Sequence, residues 1–212
     1  IEVSGARQTP ALPRFGAIRA APGLRVDSAA DPLSRLGCAA MDIQPAWQAR
    51  LTEGLDALSL ALPAAAQTRL LEYIALLLQW NSAYNLTAVR EPLAMIDRHL
   101  IDSLAILPYA RDRDLADIGS GPGIPGLVLA LVQPYERVWL VDSNGKKARF
   151  LRECVRRFGL THCSVHEQRS ESLRADPGFT QVVSRAYAEL ADFVRSTRAL
   201  LAPGGCWLAM KG

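Results

Sequence analysis

The segment Leu115-Ala116-Asp117-Ile118-Gly119-Ser120-Gly121-Pro122-Gly123 leaves this chain little freedom in how to fold. A short apolar run, Asp114–Ile118, ends in glycines, and an apolar helical stretch, Pro125–Val132, begins at once behind them. Glycine, lacking Cβ, lets the backbone turn sharply after a strand and lets a second group approach the main chain closely. Strand, glycine turn and helix in immediate succession open a βαβ unit. The helix aims its N-terminus at whatever sits above the turn. In open α/β sheets that place lies beyond the carboxyl ends of the strands, where ligands bind.

The alternation continues downstream. Val138–Val141 reads as a second strand and Lys146–Phe158 as a helix with Phe150, Leu151, Cys154, Val155 and Phe158 on one side. Cys163–His166 and Gln181–Ser184 read as the third and fourth strands, Leu190–Leu201 as a helix and Cys206–Met210 as a fifth strand. This predicts a doubly wound, mostly parallel α/β sheet with right-handed crossovers and helices on both faces. Ahead of it lie helices. Gln67–Tyr84 carries Leu70, Ile74, Leu77, Leu78 and Tyr84 at helical period. Leu93, Ile96, Leu100, Leu104 and Leu107 follow Pro92, a residue suited to a helix's first turn, and Pro45–Leu60 is a further helical segment. The expected organisation is a helical region over 41–110 and a ligand-binding core over 111–212.

Residues 1–40 differ from the rest, being rich in Ala, Pro, Arg and Gly and interrupted by Pro10, Pro13, Pro22 and Pro32. They are expected to be a disordered or non-native extension, with Met41 as the alternative start, and they contain no signal-peptide core. Ile1 at one end and Gly212 at the other give the sequence the look of a fragment. The net charge is only +3, which admits an RNA partner without requiring one. Cys38, Cys154, Cys163 and Cys206 form no CxxC pair, lack metal-ligand spacing and read as reduced thiols of a cytoplasmic protein with no metal. The longest apolar run, Ile124–Val132, falls far short of the about 20 residues of a bilayer span, so no membrane partner is expected.

Asp142 closes the second strand 23 residues beyond Gly119 (142 − 119). A carboxylate there stands beside the first turn and can accept from both hydroxyls of a ribose. The plainer reading is a loop aspartate capping the helix that begins near Lys146. Gly121–Gly126 also matches the GxGxxG dinucleotide pattern, which alone says little. Three features favour S-adenosylmethionine over a dinucleotide. Asp117 precedes the turn, where a carboxylate attracts a cationic amino group and repels a pyrophosphate. Pro122 and Pro125 remove two N–H donors that would cradle phosphates. Leu201-Ala202-Pro203-Gly204-Gly205 resembles the turn that methyltransferases place before their fifth strand, although it also reads as an ordinary tight turn. An NAD-dependent oxidoreductase is the enzyme alternative.

Further motifs narrow the resemblance. Gln79-Trp80-Asn81 with Tyr84-Asn85-Leu86-Thr87, Arg98-His99-Leu100-Ile101-Asp102-Ser103, the Asp117–Gly126 turn, Leu140-Val141-Asp142-Ser143, Ser184-Arg185-Ala186 and Met210-Lys211-Gly212 occur in that order. From about Trp47 to Gly212 the sequence resembles the RsmG (GidB) family, ribosomal RNA small subunit methyltransferase G. The resemblance implies a Rossmann-like class I S-adenosylmethionine-dependent methyltransferase. Its reaction would be methyl transfer to N7 of a guanine near the decoding centre, with 16S rRNA or the small ribosomal subunit as partner. A monomer is expected. Carried over by position, Gly119, Ile124, Ser170, Glu171 and Arg185 would contact the cofactor and Asp142 its ribose, with Gly121 and Gly123 in the same turn. For Ser170-Glu171 the alternative to holding an adenine edge is a helix N-terminal cap. Family members continue past the Lys-Gly motif with two antiparallel strands. Nothing follows Gly212 here, so the fifth strand is expected at an exposed sheet edge, and an inactive RNA-binding fragment is a further alternative.

N7 of guanine carries a lone pair and no proton, so the reaction needs no general base and rests mainly on positioning. Arg185, at the end of the fourth strand, is the candidate for positioning the substrate or holding the cofactor; its plainer reading is a surface arginine in an ion pair. His99 is read as a supporting or helix-surface residue rather than a base, and Arg98 beside it as bordering the RNA. Lys211 is a phosphate contact or a solvated terminal lysine. Arg149, Arg152, Arg156 and Arg157, with Lys146 and Lys147, form either a track for an RNA backbone or a solvated helix face. Tyr187 and Tyr84 are the aromatic candidates for stacking on a guanine.

Overall fold

The computed structural model describes residues 43–110, 113–185 and 189–210. The expectations for residues 1–40, for Tyr187 and for Lys211 lie outside the described residues. Helix α1 (Pro45–Ala57) starts on a proline, which has no N–H to leave unpaired in a first turn, and buries Trp47, Leu51 and Leu55 at four-residue spacing. Helix α2 (Ala64–Tyr84) buries Leu70, Tyr73, Ile74, Leu77, Trp80 and Asn81, and ends at Asn85 in the left-handed conformation that closes helices. The third helical stretch is not uniform. A short α3 (Pro92–Met95) runs into a π-helical turn (Ile96–Ile101) and then α4 (Asp102–Leu104). Leu93, expected on its buried stripe, is exposed, whereas Ile96, Leu100 and Leu104 are fully buried.

The sheet follows as β1 (Asp114–Ile118), α5 (Gly126–Val132), β2 (Arg137–Val141), α6 (Gly145–Arg157), β3 (Cys163–His166), β4 (Phe179–Ser184), α7 (Leu190–Thr197) and β5 (Leu201–Ala209). The strand order is β3-β2-β1-β4-β5 and every pairing is parallel. The order reverses between β1 and β4, so the ligand crevice of a doubly wound sheet opens at their carboxyl ends. Right-handed crossovers carry α5 and α6 on one face and α7 on the other. Helix α2 packs on α5 and α6, which is why α5 is buried on all sides. On the other face Phe193 of α7 joins Ala116, Ile118, Val182 and Phe179 in one apolar cluster.

The C-terminal region departs from expectation. Helix α7 stops at Thr197, and a 3-10 turn (Arg198–Leu200) leads into β5. The Thr197 hydroxyl donates to the Phe193 carbonyl and accepts the Trp207 indole N–H, tying the helix end to the strand. Leu201–Gly205 belongs to β5 rather than preceding it. The step from Phe179 to Gln181 pairs with the step from Leu201 to Cys206, so the extra residues bulge out, with Gly204 at φ 76°. A bulge of this kind accommodates residues that cannot all keep the ladder. β5 lies at an edge of the described sheet. No described helix is long and apolar enough to cross a membrane.

Candidate active site

The turn after β1 is held from within. Gly119 and Ser120 both donate their N–H to the Val141 carbonyl, at 2.8 and 2.9 Å, fastening the turn to the end of β2. Gly123 and Ile124 donate to the Ser120 carbonyl at 2.8 Å each. Gly121 N–H donates to Asp142 Oδ2 at 2.9 Å and Gly126 N–H to Asp117 Oδ2 at 2.8 Å. Pro122 and Pro125 have no N–H. Every backbone donor from Gly119 to Gly126 therefore has an acceptor inside the protein.

The glycines of the turn serve different ends. Gly121 has φ 59°, and a Cβ there would meet only the Gly119 carbonyl oxygen, 4.0 Å away, so that side of the turn is open. Gly123 is a packing position: a Cβ would stand 2.6 Å from Leu127 Cβ and 3.1 Å from a Leu151 methyl. Ile124 is buried beneath the turn.

Asp142 accepts from Gly121 N–H and, through Oδ1, from Asn144 N–H at 2.8 Å, with Lys147 Nζ 3.9 Å from Oδ2. It does not cap α6. Asn144 does, accepting from the N–H groups of Lys146 and Lys147. Asp142 is thus left at the lip of the turn. Asp117 lies beneath it and has no exposed surface. This corrects the expectation that Asp117 offers its carboxylate directly to a ligand. Its Oδ1 has no partner among the described residues, and burial foremost raises its pKa to about 7.

Arg185 follows directly on β4, beside the turn. Its Nη1 donates to the Arg98 carbonyl at 2.5 Å, in the π-helical turn, and no ion pair of Arg185 occurs among the described residues. His99, the next residue of that turn, is buried rather than on the helix surface. Burial and the nearby Arg185 and Arg98 charges push its pKa down to about 4, so it is neutral at physiological pH. Ser170 and Glu171 form a 3-10 turn after β3. Ser170 is buried, while Glu171 is exposed and lines a charged depression with Arg174, Asp192 and Arg195 on the α7 side.

Sequence reasoning missed Tyr73. Its phenol is buried on α2, and its hydroxyl donates to the Pro122 carbonyl at 3.0 Å, clamping the turn from outside the sheet. The signal was present as an aromatic residue one position before Ile74 on the buried stripe. Tyr84 is half-buried with its ring 5.4 Å from that of Trp80. The arginine run on α6 is partly neutralised: Arg152 gives two hydrogen bonds to Glu167 and Arg156 two to Glu153, while Arg149 is exposed with no ion pair among the described residues. No cluster of metal-ligating side chains occurs among the described residues.

The family model for GidB, rRNA small subunit methyltransferase G, matches residues 66–212. The chain belongs to this family. A ribosomal RNA small subunit methyltransferase G from Chromohalobacter salexigens is 51% identical over 168 residues, covering 79% of this chain and 80% of that protein. One from Stenotrophomonas maltophilia is 51% identical over 164 residues, covering 77% and 76%. Among solved structures, the DhpI–SAH complex is similar at 18% identity over 69% of each chain, with a TM-score of 0.46. The glycine turn, the two carboxylates and the Arg98–Arg185 contact all lie within the segment that the family model covers.

Proposed function

We propose that the chain binds S-adenosylmethionine at the corner formed by Gly119–Gly123 and Asp142 and transfers its methyl group to N7 of a guanine in small subunit ribosomal RNA. The observation that carries this reading is the complete internal use of the turn's N–H groups. A pyrophosphate needs free N–H donors, and here it would meet none in the turn and would face the Asp142 carboxylate, with Asp117 buried beneath. A cationic nucleoside meets the opposite situation: the open side of Gly121, the Asp142 carboxylate at the lip and the buried Asp117 beneath. An NAD-dependent oxidoreductase is disfavoured on the same ground.

The residues present fit that cofactor, which supplies an electrophilic methyl group on a sulfonium. Asp142 would hold the ribose, the Gly119–Ile124 turn would border the amino acid end, and Ser170 and Glu171 would border the adenine. The buried side of the turn excludes water from beneath. Arg185, held by a backbone carbonyl rather than by a carboxylate, keeps an undiminished charge for an RNA phosphate or the guanine O6. N7 has no proton to remove, which agrees with a site whose nearest histidine is buried and neutral. The exposed Arg149 and Lys146 on α6 extend the cationic surface available to RNA.

The setting that completes this reading is a cytoplasmic monomer acting on 16S rRNA or the small ribosomal subunit, near the decoding centre. Isothermal titration with S-adenosylmethionine and with NAD, followed by radiolabelled methyl transfer to small subunit RNA and mapping of the modified base, tests it. Binding of NAD alone, or methylation at a position other than a guanine N7, overturns it. Chromatography of the protein with light scattering checks the monomer.

A further inference from the structure

The site contains a second polar chain that the methyl transfer itself does not use. Asn81 on α2 is buried; its Oδ1 accepts the Thr87 N–H at 2.9 Å and its Nδ2 donates to the Val89 carbonyl at 3.3 Å, fixing the turn after α2. Thr87 Oγ1 accepts the Val89 N–H at 3.2 Å and lies 3.1 Å from His99 Nε2. The hydroxyl and Nε2 can pair in either direction, according to which ring nitrogen holds the proton, and Nδ1 has no partner among the described residues. His99 sits in the π-helical turn, where Asp102 N–H reaches back to the Asp97 carbonyl instead of the usual partner. In that turn the Arg98 carbonyl accepts the Arg185 guanidinium, and the Ser103 hydroxyl donates to the His99 carbonyl at 2.5 Å.

We infer that His99 is a positioning residue for the methyl acceptor: anchored by Thr87, it holds the π-helical turn in the one register that lets the Arg98 carbonyl fix Arg185 at the end of β4. This rests on the reading of Arg185 as the group that faces the substrate. A neutral imidazole suits that place, because an imidazolium would add a third positive charge near those of Arg98 and Arg185. Burial and those two cations together keep the ring in that form. Three separate stretches of chain, at Asn81, Thr87 and His99, thereby converge on the placement of one guanidinium.

The test compares His99→Leu, His99→Gln and Thr87→Val. Leucine keeps the volume and loses both nitrogens, whereas glutamine can still meet the Thr87 hydroxyl. His99→Leu should lower kcat by about tenfold or more with cofactor Kd within about twofold of the parent protein, and His99→Gln should recover most of the loss. Thr87→Val, which deletes only the hydroxyl, should fall between them. The Arg185 guanidinium resonance, assigned through Arg185→Lys, should be sharp in the parent protein and lost in His99→Leu. Unchanged kcat and an unchanged Arg185 resonance in both His99→Leu and Thr87→Val overturn the inference, as does a loss carried wholly by cofactor Kd. Should His99→Leu fail to fold, Thr87→Val alone decides by the same readouts. If the parent protein transfers no methyl group, the functional reading falls, and the Arg185 resonance still decides whether His99 positions it.

Discussion

The Asp117 carboxylate and the Gly126 backbone N–H are bonded at 2.8 Å, and the Gly126 α-carbon has room for nothing larger than hydrogen. A Cβ there would stand 2.5 Å from Asp117 Cβ and 2.7 Å from its Oδ2. The pair ties the end of β1 to the start of α5. Gly126→Ala must break that bond or displace a buried carboxyl group, at an expected cost of about 2–4 kcal/mol. A fall in the urea midpoint with unchanged m-value measures it. A midpoint equal to the parent's would show that the turn yields freely.

Asp117 also makes stability depend on pH. Burial raises its pKa from 3.8 to about 7, so the native state keeps a proton that the unfolded chain releases. The contribution is fully present below about pH 4 and is lost as pH rises through about 7. Asp117→Asn removes the titration. The stability of the parent protein relative to this variant should therefore fall by about 2–3 kcal/mol between pH 5 and pH 8; a constant difference contradicts the assignment. A cation bound above the corner favours the carboxylate form. Calorimetric binding enthalpies for S-adenosylmethionine near neutral pH should accordingly vary with buffer ionisation enthalpy, reporting proton release.

Asp142 holds the turn and, in the proposed function, the ribose of the cofactor. Alanine there leaves the N–H groups of Gly121 and Asn144 without their acceptor, so Asp142→Ala should cost about 1–3 kcal/mol of stability and raise cofactor Kd at least about tenfold. Asp142→Asn keeps one acceptor oxygen and should fall between. Thermal melts and titration separate the two effects. A lowered Tm with unaltered Kd would confine Asp142 to holding the turn.

Tyr73→Phe deletes one hydroxyl and leaves the ring. Losing the bond to the Pro122 carbonyl should cost about 1 kcal/mol and loosen the cofactor by about threefold or more. Paired melts and titrations read both, and equal Kd values for the two proteins would remove Tyr73 from the site.

The sheet was legible because its strands are short apolar runs broken by glycine and acid, and β1 and β3 begin and end where the pattern says. The position of Asp142 beside the turn was legible from its spacing, and that of Arg185 from its place just past a strand. Three features were not. The π-helical turn at Ile96–Ile101 keeps the apolar period of an ordinary helix, so nothing in the residue order marks its extra member. The inward direction of Asp117 depends on α5 packing close enough for Gly126 to reach it, a tertiary contact. The LxPGG segment looks like a turn by composition, yet pairing with β4 draws it into the strand as a bulge.

The hydroxyl of Tyr73 belongs to a helix that a dissection of the sheet would discard. A trimmed version beginning at β1 would keep every glycine of the turn and both acids and still lose the clasp on Pro122. Exchanging α2 between relatives should therefore retune nucleoside affinity without altering a single ligand-facing side chain. On the proposed reading the appended helices belong to the binding apparatus, and affinity can drift through changes far from any ligand atom.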